Sequence, residues 1–140
     1  MRVLALDIGE KRTGVAVSDP EMRVATPVCV LPSQEVTQCA RTFREVLEDW
    51  DPGLLLCGLP RTLSGEEGPQ AKRIRQAAAE ISRSSGIECA FCDERLSSRE
   101  AKHSLRDMGY VERKMRGKVD MVAASLFLQS WLDAQAAASD

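Results

Sequence analysis

The chain has 140 residues, with 19 lysines and arginines against 21 aspartates and glutamates for a formal net charge of -2. That length predicts one domain over residues 1–140, large enough to hold a hydrophobic core unaided and too short for a second domain. The totals exclude a uniformly basic nucleic-acid glove, a disordered chain and a bilayer-spanning segment, since hydrophobic residues make up 44% and none of their runs approaches roughly 20 residues.

Residues 2–8 form a short apolar run rich in branched side chains and ending Asp7-Ile8-Gly9, which predicts a buried strand. A second strand follows at 13–18, a turn at Asp19-Pro20-Glu21, and a third strand at 24–31 carrying Pro27 as an edge or bulge residue. The short connections make these three an antiparallel meander. Apolar residues then recur at helical spacing over 36–50 and stop at Asp51-Pro52-Gly53. A fourth strand is expected at 54–57, a glycine-rich loop at 58–68, and a helix from Pro69 to Ser85 closed by Gly86. The fifth strand spans 87–92. Ser97-Ser98-Arg99-Glu100 spells a capping box, so a helix is expected over 97–108, then a basic loop at 110–118 and a last helix at 119–137. Right-handed crossovers require strands four and five to add in parallel beside strand one, with helices covering the sheet, which makes the class mixed α/β.

Asp7 inside the first apolar run argues against a secretory signal, so a cytoplasmic chain with reduced thiols is expected. Cys89 and Cys92 form a C-x-x-C, but on a strand residues three apart point to opposite faces, so packing is expected rather than metal or redox chemistry. Cys29, Cys39 and Cys57 read the same way.

Three acids stand out. Asp7 ends the first strand, Asp93-Glu94 end the fifth, and Asp120 opens the last helix, so all fall at the carboxyl edge of the sheet, where open α/β sheets place ligands. Each alone has a bland explanation, as a turn residue or a first-turn acid favoured by the helix dipole. Converging carboxylates without a nucleophile triad suit hard cations such as Mg2+ or Mn2+, which activate water for phosphodiester cleavage. The sole histidine, His103, lies within a helical stretch and offers little to a histidine-based mechanism.

The segments Leu4-Ala5-Leu6-Asp7-Ile8-Gly9-Glu10-Lys11-Arg12-Thr13-Gly14, Gly58-Leu59-Pro60, Asp93-Glu94-Arg95-Leu96-Ser97-Ser98 and Val119-Asp120-Met121-Val122-Ala123-Ala124, in that order, resemble the YqgF (RuvX) family over nearly the whole chain. The resemblance implies an RNase H-like fold with strand order 3-2-1-4-5 and a nuclease, described for the family as a Holliday junction resolvase and as the enzyme that matures the 5′ end of 16S ribosomal RNA. It carries the catalytic and metal-binding acids onto Asp7, Glu94 and Asp120, with Asp93 as the neighbour of Glu94. In related resolvases the second acid sits on strand four, which here leads into Leu59-Pro60. An acid on strand five is two strand spacings from Asp7, roughly 10 Å at backbone level, which favours the longer Glu94.

Substrate contacts are expected from the cations flanking these acids, Lys11, Arg12 and Arg95, from Arg61 in the glycine-rich loop, and from Arg113, Lys114, Arg116 and Lys118 in the basic stretch. The expected partners are structured RNA or branched DNA, with ribosomal precursor particles among them, and no membrane. A symmetric junction substrate would favour a homodimer and a single RNA end would not. Two rivals share these residues: a non-catalytic nucleic-acid or ribosome-associated module, and a nucleotide-binding domain, since the first motif also resembles the phosphate loop of actin-like and sugar-kinase ATPases. The latter need two such domains to close a cleft.

Overall fold

A computed structural model of the chain describes residues 1–60, 66–93 and 118–139. Its elements in order are β1 (Val3–Ile8), β2 (Arg12–Ser18), β3 (Ala25–Pro32), α1 (Ser33–Thr37), α2 (Arg41–Trp50), β4 (Leu54–Leu59), α3 (Pro69–Ser85), β5 (Cys89–Asp93) and α4 (Val119–Ser139). The expected helix at 97–108, the basic loop up to residue 117 and residues 61–65 of the glycine-rich loop lie outside the described residues.

The five strands form one mixed sheet in the order β3-β2-β1-β4-β5. β2 runs antiparallel to both β1 and β3, while β4 lies parallel to β1 and β5 parallel to β4. This is the topology that the meander and the right-handed crossovers required. Along β3 the register slips opposite Val15 and Ala16, which pair with Cys29 and Pro27. Pro27 thus sits beside a bulge on an edge strand, where its missing N–H does least harm.

Strand alternation builds two cores. Leu4, Leu6, Ile8, Val15, Leu55 and Cys57 face α1, α2 and α3, where they pack with Phe43, Ile74 and Ile81. Val3, Ala5, Ala16 and Leu56 face the other way, against Ala124, Phe127, Leu128 and Leu132 of α4. The five-stranded sheet is therefore sandwiched, and its centre is fully buried. Cys89 belongs to the first core and Cys92 to the second, so the two thiols of the C-x-x-C are held apart by the pleat.

The helix expected over 36–50 is broken in two. Cys39 takes a left-handed conformation (φ 53°), and its N–H and that of Ala40 donate back to the carbonyls of Val36 and Glu35. β-Branched Val36 and Thr37 resist helix propagation here. Ala40 restarts the chain as the extended cap of α2. Ser33, the first residue of α1, is buried. Its buried hydroxyl donates to the Gly9 carbonyl (2.7 Å) and bonds Thr13 Oγ1 (2.8 Å), tying α1 to the β1–β2 turn. That turn is closed by the Gly9 N–H on the Arg12 carbonyl (2.9 Å), and a Cβ at residue 9 would lie 2.7 Å from the same oxygen. Only glycine fits that approach.

Between β2 and β3, Asp19 Oδ1 accepts hydrogen bonds from the backbone N–H groups of Arg23 (2.7 Å) and Val24 (2.8 Å). Those bonds, Val24's first, hold its carboxyl below the ordinary carboxylate range. A lowered folded-state pKa contributes stability above the unfolded-state pKa, and that contribution disappears as pH falls through the folded-state value. Asp19→Ala is therefore expected to melt below wild type at neutral pH, with the gap closing in acid. A gap that persists unchanged in strong acid would assign the loss to something other than the carboxylate.

Candidate active site

Asp7 is the penultimate residue of β1 and alternates with Val3 and Ala5, so its half-buried side chain lies on the α4 face of the sheet. Directly across the hairpin its partner is Gly14. A Cβ built on Gly14 would lie 2.1 Å from the Asp120 carbonyl carbon and oxygen and 2.5 Å from the Met121 nitrogen. The first turn of α4 thus rests on bare backbone opposite Asp7. A small-residue seat (Ala5, Ala16 and Gly14) lets α4 come this close, and the contact brings the first-strand aspartate and the last-helix aspartate together on one face.

Asp120 occupies the first turn of α4, where the helix dipole favours a carboxylate. Burial nevertheless pushes its carboxyl above the ordinary range, opposed by the Arg12 guanidinium, whose Nε lies 3.7 Å from Oδ2. A raised folded-state pKa means stability that is present below the unfolded-state pKa and lost as pH rises through the folded-state one. The charge of Asp120 therefore weakens the metal-free fold at neutral pH. Asp120→Asn is expected to melt at or a few degrees above wild type when both are scanned with a chelator present. A clearly lower melting temperature would mean that pairing with Arg12 outweighs desolvation.

The other expected site residues separate into groups. Asp93 is exposed at the end of β5 and alternates with Phe91 and Cys89, which pack on the α3 side. It therefore stands on the face opposite Asp7 and Asp120 and does not join them. Glu94, Arg61, Arg95, Arg113, Lys114 and Arg116 lie outside the described residues. Lys11 is exposed in the β1–β2 turn, Arg12 bridges to Asp120, and Lys118 immediately precedes α4, where its carbonyl accepts the Val122 N–H. Among the described residues no three acids, histidines or cysteines gather as a metal cage.

The carboxylate oxygens of Asp7 and Asp120 are the donor chemistry that a hard divalent cation takes, and their shared, partly desolvated face fits such an ion. Two roles escaped the sequence reading. Gly14 is the seat of α4, and Ser33 anchors the turn beyond Asp7. The one sequence signal for the first was a glycine within a strand, which marks close backbone approach.

The fold is that of the RNase H-like resolvases. The chain superposes on Thermus thermophilus RuvC in complex with a Holliday junction with a TM-score of 0.57, at 15% identity and covering 98% of this chain and 96% of that one. A fowlpox virus resolvase bound to Holliday junction DNA gives the same score at 14% identity, over 96% of this chain and 99% of the other. A family model described as RuvX, Holliday junction resolvase, matches residues 1–134. The chain belongs to the RuvX (YqgF) family. An Anaeromyxobacter relative (strain Fw109-5), described as a candidate pre-16S rRNA nuclease, is 38% identical over 133 residues, 95% of this chain and 97% of its own. A Streptomyces avermitilis relative with the same description is 36% identical over 135 residues, 96% of this chain and 86% of its own.

Proposed function

We propose that this chain, one nuclease domain over residues 1–140, hydrolyses phosphodiester bonds in structured nucleic acid with the help of a divalent metal. The nuclease class rests on family membership. The observation that carries the site is the packing of the Asp120 backbone on Gly14, directly across from Asp7. Asp7 and Asp120 are the metal-holding carboxylates in this reading. Glu94 is the third, because Asp93 faces away; its longer side chain also suits the span from β5 to β1.

Bound there, Mg2+ or Mn2+ would lower the pKa of a water nucleophile and neutralise charge on the leaving oxygen. The chain's own residues do the rest. Asp7 is held by its pairing across the β1–β2 hairpin, and the Arg12 guanidinium favours the charged form of Asp120 against the opposing effect of burial. Lys11 and Lys118 flank the pair with positive charge, and Arg61, Arg95, Arg113, Lys114 and Arg116 supply further backbone-binding cations.

The substrates follow from the relatives: the 5′ end of precursor 16S ribosomal RNA, free or in a precursor particle, and four-way DNA junctions. A dimer is expected if the junction is the substrate. The test is a cleavage assay of the full chain on both nucleic acids, with Mg2+ or Mn2+ and with a chelator. Cleavage that requires the metal is the expected result. Cleavage undiminished by the chelator would overturn the metal assignment, and no cleavage of either nucleic acid would overturn the substrate class.

A further inference from the structure

Arg12 is the first residue of β2 and alternates with Gly14 and Ala16, so it projects on the α4 face of the sheet, the face that carries Asp7 and Asp120. Asp7 pairs directly with Gly14, which makes Arg12 its diagonal neighbour across the hairpin. Arg12 Nε lies 3.7 Å from Asp120 Oδ2, a separation longer than a hydrogen bond, and the Arg12 side chain is 54% exposed. A half-exposed pair at this distance is weak, so parting it costs the fold little. Arg12 is a loosely held counter-charge that its own strand keeps beside the carboxylates.

Two kinds of ligand bear on that counter-charge. A hard divalent cation takes carboxylate oxygens, and a guanidinium beside Asp120 answers the same negative charge, so the two compete, and in a partly desolvated site they repel. A phosphate is the other. The guanidinium carries five N–H donors in a planar fork that matches two phosphate oxygens at once, a geometry that the approach of Nε to one carboxylate oxygen does not use. A phosphodiester presented to Asp7 and Asp120 lies on the face where Arg12 projects. Because the side chain is long and mostly in solvent, it reaches from carboxylate to phosphate without any movement of β2.

We propose that Arg12 is a placeholder: it stands in for a cation beside Asp120 in the metal-free chain and passes to a backbone phosphate of the nucleic acid once a divalent ion occupies the carboxylates. The proposal rests on the metal-dependent nuclease reading above. Its first test needs neither nucleic acid nor cleavage. Mn2+ is titrated calorimetrically into the full chain as wild type, Arg12→Gln, Arg12→Lys and Asp120→Asn. Arg12→Gln should bind the metal about threefold to fivefold more tightly than wild type, the scale of an exposed ion pair that no longer has to be broken, and the gain should fade in concentrated salt. Arg12→Lys keeps the charge and should bind as wild type does, whereas Asp120→Asn should bind at least about tenfold more weakly. Equal or weaker binding by Arg12→Gln would overturn the placeholder and leave the metal reading standing. Absence of binding by wild type and Arg12→Gln alike, or undiminished binding by Asp120→Asn, would overturn both. The second test follows the guanidinium to its new partner. Affinity for a four-way DNA junction and for precursor 16S RNA is measured against salt by rapid mixing, before turnover, with Mg2+ and with a chelator. With Mg2+ the slope of log K against log salt should be shallower in Arg12→Gln by about one, a single phosphate contact, and with the chelator the two slopes should coincide. Slopes that differ equally in both conditions, or in neither, would overturn the exchange.

Discussion

Gly14→Ala is expected to lose nuclease activity and to melt about 10 °C below wild type, the consequence of roughly 3 kcal/mol of overpacking in a domain of this size. The added methyl would sit 2.1 Å from the Asp120 carbonyl and 2.5 Å from the Met121 nitrogen, and both are backbone atoms that cannot rotate aside. The first turn of α4 must lift from β2, carrying Asp120 away from Asp7. Gly53→Ala is the control. Its Cβ would meet the Met1 side chain at 2.7 Å, the far end of a flexible group, and the methyl also removes freedom from the unfolded chain. It should melt near wild type and cleave normally. A Gly14→Ala variant that melts and cleaves like the Gly53 control would show that α4 has no fixed seat on β2.

Asp7→Asn is expected to cut kcat by about a hundredfold or more, since removal of even a group that only supports a metal ligand costs about ten- to a hundredfold. The change is nearly isosteric and keeps the half-buried position filled, so the sheet should survive; circular dichroism and the melting temperature are expected to match wild type. Removing one of two neighbouring carboxylates also relieves repulsion on a partly desolvated face. Loss of activity with the fold intact, together with loss of metal binding measured by calorimetry, is the result that assigns the residue. Cleavage that survives Asp7→Asn would remove this carboxylate from the mechanism.

Much of the fold was readable because its signals are local. The apolar runs of β1, β4 and β5, the Pro69 start and the Gly86 stop of α3, and the Pro27 irregularity of β3 each depend on a few adjacent residues. The broken helix at Cys39 was not readable. Its apolar spacing suits one continuous helix, and the bonds that tie α1 to the β1–β2 turn through Ser33 are tertiary. The site divides in the same way. Asp7 and Asp120 stand out by their places at a strand end and a helix start. The Asp93-Glu94 pair spells two candidates, and only packing with Phe91 and Cys89 tells which face Asp93 takes. That Gly14 seats a helix more than a hundred residues later cannot be read from its neighbours.

The docking of α4 on β2 also gives the proposed site an order of assembly. Synthesis proceeds from the N-terminus, and domains begin to fold as they emerge. Asp120 is made more than a hundred residues after Asp7, so a growing chain holds one carboxylate of the proposed pair before the other. On the reading proposed above, a chain still short of α4 lacks half of its metal-holding pair, so cleavage waits on the synthesis and docking of that helix.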